Sequence, residues 1–151
     1  MRFYEFDLEQ ERTVETPLKL NSSVSNEIFD LGDDATQAMT DQFKAENNVD
    51  GDWVIKNYRT FMEYAVSTFG KVTQVPIAQI IGTEPKLYGP QLKAIASGTA
   101  KSSSKMPMLY KHNGKYIVRD GNHRIAADLL NKQHNTTAIV FDIDKILQKL
   151  T

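Results

Sequence analysis

Residues 116–127, Tyr116-Ile117-Val118-Arg119-Asp120-Gly121-Asn122-His123-Arg124-Ile125-Ala126-Ala127, constrain the fold more than any other stretch of this 151-residue chain. Residues 116–119 read as the end of a strand, and Asp120-Gly121-Asn122 as a sharp turn. A helix from His123 to Asn131 follows at once, with Ile125, Ala126, Leu129 and Leu130 as its inner face. A strand that passes through a glycine turn straight into an amphipathic helix calls for a sheet with helices packed on it.

The flanking sequence extends that pattern. Met106–Tyr110 and Lys115–Arg119 read as two strands, joined by the hairpin signal His112-Asn113-Gly114. Thr136–Ile143 is a strand rich in β-branched residues, and Asp144 caps a final amphipathic helix ending at Leu150. Upstream, Val72–Ile81 with Pro76 inside reads as an edge strand plus a short helical turn. Pro90–Ser97 is a short helix with proline near its start and Gly98 just past its end. Thr99–Lys105 is a small, basic, hydroxyl-rich loop.

The first half is more helical. Residues 3–8 alternate imperfectly as a short strand, and residues 9–26, with Pro17, form a second weak strand or a loop. A helix opens at Asp33-Asp34 and runs through Met39 and Phe43 to about Lys44. Asn47–Gly51 is a turn. The clearest helix begins with Asp52 as N-cap, carries Val54, Tyr58, Phe61, Met62, Ala65 and Phe69 at helical spacing, and stops at Gly70. Its aromatic stripe is a core face, with Trp53 at the edge. The chain is therefore α+β: a mainly helical region over residues 1–70 that packs on the same domain as a strand-helix region over residues 71–151. There is no internal repeat and no linker that demands two independent domains.

Charge follows the same division. The formal net charge is −1, from 18 Lys+Arg and 19 Asp+Glu. Residues 1–70 hold 6 basic and 14 acidic side chains, whereas residues 71–151 hold 12 basic and 5 acidic ones. Such asymmetry points to an anionic partner, or to one half docking on the other. The chain has no cysteine, which excludes disulfides, thiolate metal sites and a cysteine nucleophile, and fits a cytoplasmic location. Met1-Arg2-Phe3-Tyr4-Glu5 lacks the apolar core of a signal peptide, and no apolar run approaches the roughly 20 residues that span a bilayer, so no membrane partner is expected.

The turn at Gly121 also carries the chemistry. The first turn of a helix has unpaired backbone N–H groups and the positive end of the helix dipole, which favour a phosphate. Gly121 permits a close approach of backbone, and Arg124 in the first helical turn can fork onto phosphate oxygens. His123 adds a donor, Asn122 can bond a phosphate oxygen or a base edge, and Asp120 can hold Mg²⁺ indirectly or accept bonds from the turn. Asp-Gly-Asn is equally an ordinary turn in which Asp or Asn caps the helix.

The run Pro107-Met108-Leu109, residues 116–127 and Thr137-Ala138-Ile139-Val140 together resemble the ParB N-terminal/sulfiredoxin-like superfamily. Val75–Ile80 is similar to that family's opening strand, and Gln91–Gly98 to its short helix before the loop-Pro-strand segment. The resemblance covers about residues 71–143. It implies a small mixed sheet with helices and a nucleotide of the ATP or CTP class, bound with Mg²⁺. Members of the superfamily grip ATP or CTP phosphates with Gly-Cys-His-Arg or Gly-x-x-Arg motifs, one branch is a kinase, and members of the Asp-Gly-Gln-His-Arg type are associated with DNA modification. Carried over, Gly121, Asn122, His123 and Arg124 line a phosphate pocket, with Lys101, Ser102, Ser103, Ser104 and Lys105 facing it. Glu84 lies where the kinase branch places a general base; it also reads as an exposed turn carboxylate beside Pro85. Glu84, His123 and Asp120 are the candidate catalytic residues.

Two departures narrow the function. Asn122 stands where sulfiredoxin has its cysteine, so sulfinic acid reduction is excluded. No helix-turn-helix segment follows the Thr136–Ile143 strand, so chromosome-segregation clamping is not expected. His112 and His134 read as surface residues, three histidines without cysteine do not suggest structural zinc, and Asp30, Asp33 and Asp34 lack calcium-loop spacing. Three expectations follow. The first is a nucleotide-binding hydrolase or phosphotransferase working at Asp120–Arg124. The second is a DNA-binding protein or nuclease that uses the basic C-terminal half. The third is a non-catalytic interaction protein whose acidic N-terminal half takes a protein partner.

Overall fold

The computed structural model describes residues 12–98 and 106–151. The expected strand at residues 3–8 and the whole of the 99–105 loop, including Lys101–Lys105, lie outside the described residues. The chain is a mixed α/β fold, with six α-helices among the described residues and a six-stranded mixed sheet. In chain order the elements are β1 (Thr13–Glu15), β2 (Lys19–Leu20), α1 (Ser22–Asn47), α2 (Gly51–Lys56), α3 (Tyr58–Phe69) and β3 (Gly70–Pro76). There follow a single 3₁₀ turn (Ile77–Gln79), β4 (Ile80–Gly82), β5 (Lys86–Tyr88) and α4 (Gly89–Ala96). The chain closes with β6 (Met108–His112), β7 (Lys115–Asp120), α5 (Asn122–Leu130), β8 (Asn135–Asp142) and α6 (Ile143–Leu150).

The main sheet has the order β2-β4-β7-β6-β8-β3, and β1 pairs antiparallel with β5 in a separate two-stranded ladder. β6 and β7 form the expected hairpin. Asn113 and Gly114 have φ of 51° and 72°, the left-handed pair that a tight two-residue turn requires. β3 is the edge strand its proline predicts: Pro76 pairs with Asn135 at the end of the ladder and leads into the 3₁₀ turn.

Strand alternation divides the core in two. Leu109, Val118, Ala138 and Val140 face one side and pack with Leu92 of α4 and with Ile125, Ala126 and Ala127 of α5. Tyr110, Ile117 and Phe141 face the other side, against α1 (Ile28, Ala35, Met39, Phe43), α3 (Phe61, Ala65) and α6 (Ile146). Each large apolar side chain removed from water in this way contributes about 1.5–3 kcal/mol. Val54, Phe61 and Ala65 of the expected stripe are core, and Met62 and Phe69 pack against it, but Tyr58 is exposed. Phe43 meets the rings of Trp53, Phe61 and Tyr64 at centroid distances of 4.9–6.0 Å.

Several elements differ from expectation, each for a physical reason. α1 starts at Ser22, not at Asp33-Asp34, because Asn21 caps it by accepting from Val24 N at 3.2 Å. Gly32 does not break the helix; a Cβ there would run into the Tyr110 ring, so glycine lets α1 lie close on the sheet. The next helix is two. Asp50, rather than Asp52, accepts from Trp53 N at 2.8 Å, and the backbone bends at Asn57, whose side-chain amide donates to the Trp53 carbonyl at 2.9 Å. Asp142 caps α6, so Asp144 is left to bond His112 Nδ1 at 2.6 Å, and His112 is half-buried rather than a surface residue. On α5, Leu130 is exposed and Ala127 takes the buried place.

Candidate functional site

β7 ends at Asp120, and Gly121 turns the chain into α5 with φ of 107°, a conformation that L side chains rarely adopt. Space is closed there as well: a Cβ on Gly121 would sit 2.8 Å from Pro107 Cβ and 2.9 Å from Pro107 Cα. The turn therefore needs glycine twice over, and it clamps the start of α5 against the beginning of the β6 segment. α1, α2 and α6 are capped by Asn21, Asp50 and Asp142, whereas α3, α4 and α5 have no side-chain cap. The first intrahelical bond of α5 is Ile125 N to Gly121 O at 3.0 Å, so the opening turn carries the positive end of the dipole without a side-chain acceptor.

The expected site residues divide sharply in what they do. Asn122 is 4% exposed, and its side chain turns inward. Its Oδ1 accepts from Thr83 N at 2.9 Å, and its Nδ2 donates to Thr83 Oγ1 at 2.9 Å, which in turn donates to the Val118 carbonyl at 3.0 Å. This carboxamide joins the β4–β5 turn to α5 and leaves the Asn122 backbone, not its side chain, to meet a ligand. His123 Nε2 accepts from Tyr88 N at 2.9 Å, which turns its ring toward the start of α4.

Arg124 is the polar side chain of this turn that remains available. Its only ion pair among the described residues is a 3.9 Å approach of Nε to Asp128 Oδ1, one helical turn on, while Asp128 Oδ2 accepts from Thr136 at 2.8 Å. Arg124 lines a groove of about 410 Å³ with Met106, Pro107, Asp128, Gln133 and Thr136. Met106 is the residue that follows Lys101–Lys105 in the chain. Asp120 is exposed at the end of β7, and Glu84 is exposed in the turn next to Thr83. The Thr83–Asn122 bonds bring that turn, and with it the Glu84 backbone, to the start of α5. Among the described residues no group of three or more His, Asp or Glu side chains could hold a metal by itself.

Three participants escaped the sequence: Thr83, the backbone of Tyr88 and the true position of Arg119. No spacing rule pairs Thr83 with a residue 39 positions away. Arg119, read only as a strand residue, points to the opposite face of the sheet. Its Nε donates to Tyr110 OH at 3.0 Å, its Nη2 to Tyr58 OH at 3.2 Å, and its Nη1 meets Met108 Sδ at 3.2 Å. Burial works to lower its pKa, but the Tyr110 and Tyr58 hydroxyls outweigh that and hold it above the usual arginine value. A scan against protein-family models finds no match to this chain, and a search of curated proteins finds none.

Proposed function

We propose that the start of α5 binds the phosphates of a nucleotide, and that the protein hydrolyses a nucleoside triphosphate or transfers its phosphoryl group there. The observation that carries this reading is an α5 N-terminus without a side-chain cap, beside a lightly paired Arg124. Backbone N–H groups and a guanidinium together offer the donors that phosphate oxygens accept. The resemblance of residues 107–140 to the ParB N-terminal/sulfiredoxin-like superfamily supports the same assignment. Asn122 and His123 act as positioning residues: their side chains hold the 83–88 segment in place, and their backbone faces the ligand.

Mg²⁺ fits this reading only as a companion of the nucleotide. It usually takes one or two carboxylates plus phosphate oxygens rather than an all-protein cage, and Asp120 and Glu84 are the carboxylates at this end of β7. Bound there, it would neutralise phosphate charge. Glu84, exposed in the turn, is the candidate to take a proton from an acceptor hydroxyl or water.

Thermal melting with ATP, ADP or CTP and Mg²⁺ tests the reading. At about 100 times Kd, ligand linkage adds about 2.7 kcal/mol, which raises Tm by about 5 °C or more for a chain of this size. Arg124→Ala should remove that shift while leaving the ligand-free Tm nearly unchanged. No shift with any of the three nucleotides rejects the function. Where a shift is present, Glu84→Gln should keep it and lose phosphoryl transfer; unchanged turnover rejects Glu84 as the base.

A further inference from the structure

A second cationic feature lies at the other end of β7. A groove of about 330 Å³ is lined by Lys71, Lys111, Lys145 and Lys149, by the rings of Tyr116 and Phe69, and by one carboxylate, Asp142. Register places the strand residues on one sheet face: Lys71 is opposite Val140, while Lys111 is opposite both Asp142 and Tyr116. Lys145 and Lys149, one turn apart on α6, supply the other wall. Among the described residues none of the four lysines has a carboxylate within 4.0 Å; Asp142 is occupied in capping α6. Lys111 and Lys149 instead lie 5.8 Å from the ring centroids of Tyr116 and Phe69.

Four unneutralised ammonium groups around one groove repel one another, and an anion that bridges them relieves that repulsion. The groups are all lysine, compact point charges that bind phosphate oxygens without demanding a fixed bidentate geometry, which suits a flexible backbone. The rings of Tyr116 and Phe69, each partly buried with a lysine over its face, add apolar surface that bases can contact irrespective of sequence. We propose that this groove seats the backbone of a single nucleic acid strand, independently of sequence. It is distinct from the α5 site: Tyr116 and Gly121 are separated by roughly 15 Å along β7.

Fluorescence anisotropy of the full chain with a labelled 20-residue deoxythymidine strand tests the proposal. The logarithm of affinity should fall with the logarithm of salt with a slope of about −3, from about 0.7 per neutralised phosphate over four lysines. The triple variant Lys71→Gln/Lys145→Gln/Lys149→Gln should weaken binding about tenfold or more at 50 mM salt and flatten the slope to about −1. Its Tm should match the unmodified chain, since all three side chains are exposed. Arg124→Ala should leave strand binding unchanged, so that failure of the nucleotide reading and failure of this one are told apart. No binding at 50 mM salt, or equal binding by the triple variant, overturns the proposal. Displacement of the strand by polyglutamate at equal charge concentration overturns it in favour of an acidic protein partner.

Discussion

Arg119 and Arg124 stand on either side of Gly121, and the sheet sends them to opposite faces with opposite fates. Arg119 lies among Tyr58, Tyr110, Met62 and Met108, with most of its donors engaged and no carboxylate partner among the described residues. Arg124 opens onto a groove and keeps one loose ion pair. The first arginine ties α3 to the strands, whereas the second is left over from packing. Residue type did not decide between these roles. The decisive factor was which face of β7 and which turn of α5 each side chain leaves from.

That contrast can be broken in four ways, taken from the largest expected effect. Phe61→Ala, at the centre of the helical face, should cost about 3–5 kcal/mol in urea unfolding, the range for emptying a buried aromatic site; a loss below about 1 kcal/mol would mean this face is not core. Gly121→Ala should cost about 2–4 kcal/mol, since a strained φ and contact with Pro107 add together. A neutral result would remove the clamp at the start of α5. Asn122→Ala should cost about 2–3 kcal/mol by leaving Thr83 N–H and its hydroxyl without their partner. Faster hydrogen exchange at Thr83 would locate the loss, and Asn122→Asp should restore only the bond from Thr83 N. Finally, Arg119→Gln should destabilise by about 1–2 kcal/mol and Arg124→Gln by less than about 0.5 kcal/mol. Equal losses at the two positions would erase the distinction between a packed and an available arginine.

Much of the fold is written in local patterns. The β6–β7 hairpin, the edge strand with Pro76, α4 between Pro90 and Gly98, and the Asp120–Asn122 turn all rest on backbone preferences that act within a few residues. The departures arise where a residue's role depends on a distant neighbour. Gly32 carries no signal in the sequence; only Tyr110, placed beside it by the fold, explains why glycine is needed there. Asp144 looks like a cap, but Asp142 takes that place and Asp144 instead reaches His112 on β6. At the candidate site, Gly121 and Arg124 were legible because a tight turn and a first-turn arginine carry their own geometry. The inward turn of Asn122 was not, because it depends on Thr83, which reaches α5 only after β4 and β7 have paired. The lysine groove was visible only as a charge excess over residues 71–151, since its four cations come from three separate elements.

The small β1–β5 ladder has a consequence for motion. Thr16 N donates to the Pro85 carbonyl and Gly89 N to the Arg12 carbonyl, so residues 12–16 bracket the segment 85–89 from both ends. That segment also contains the Tyr88 amide held by His123. Residues 12–16 and the border of the α5 site are thus linked as one unit, anchored in the core by the fully buried Leu87. Amide exchange at Tyr88, Gly89 and Thr16 should therefore share a single opening free energy. A ligand at α5 would slow all three, and it would be felt at the beginning of the chain without touching it.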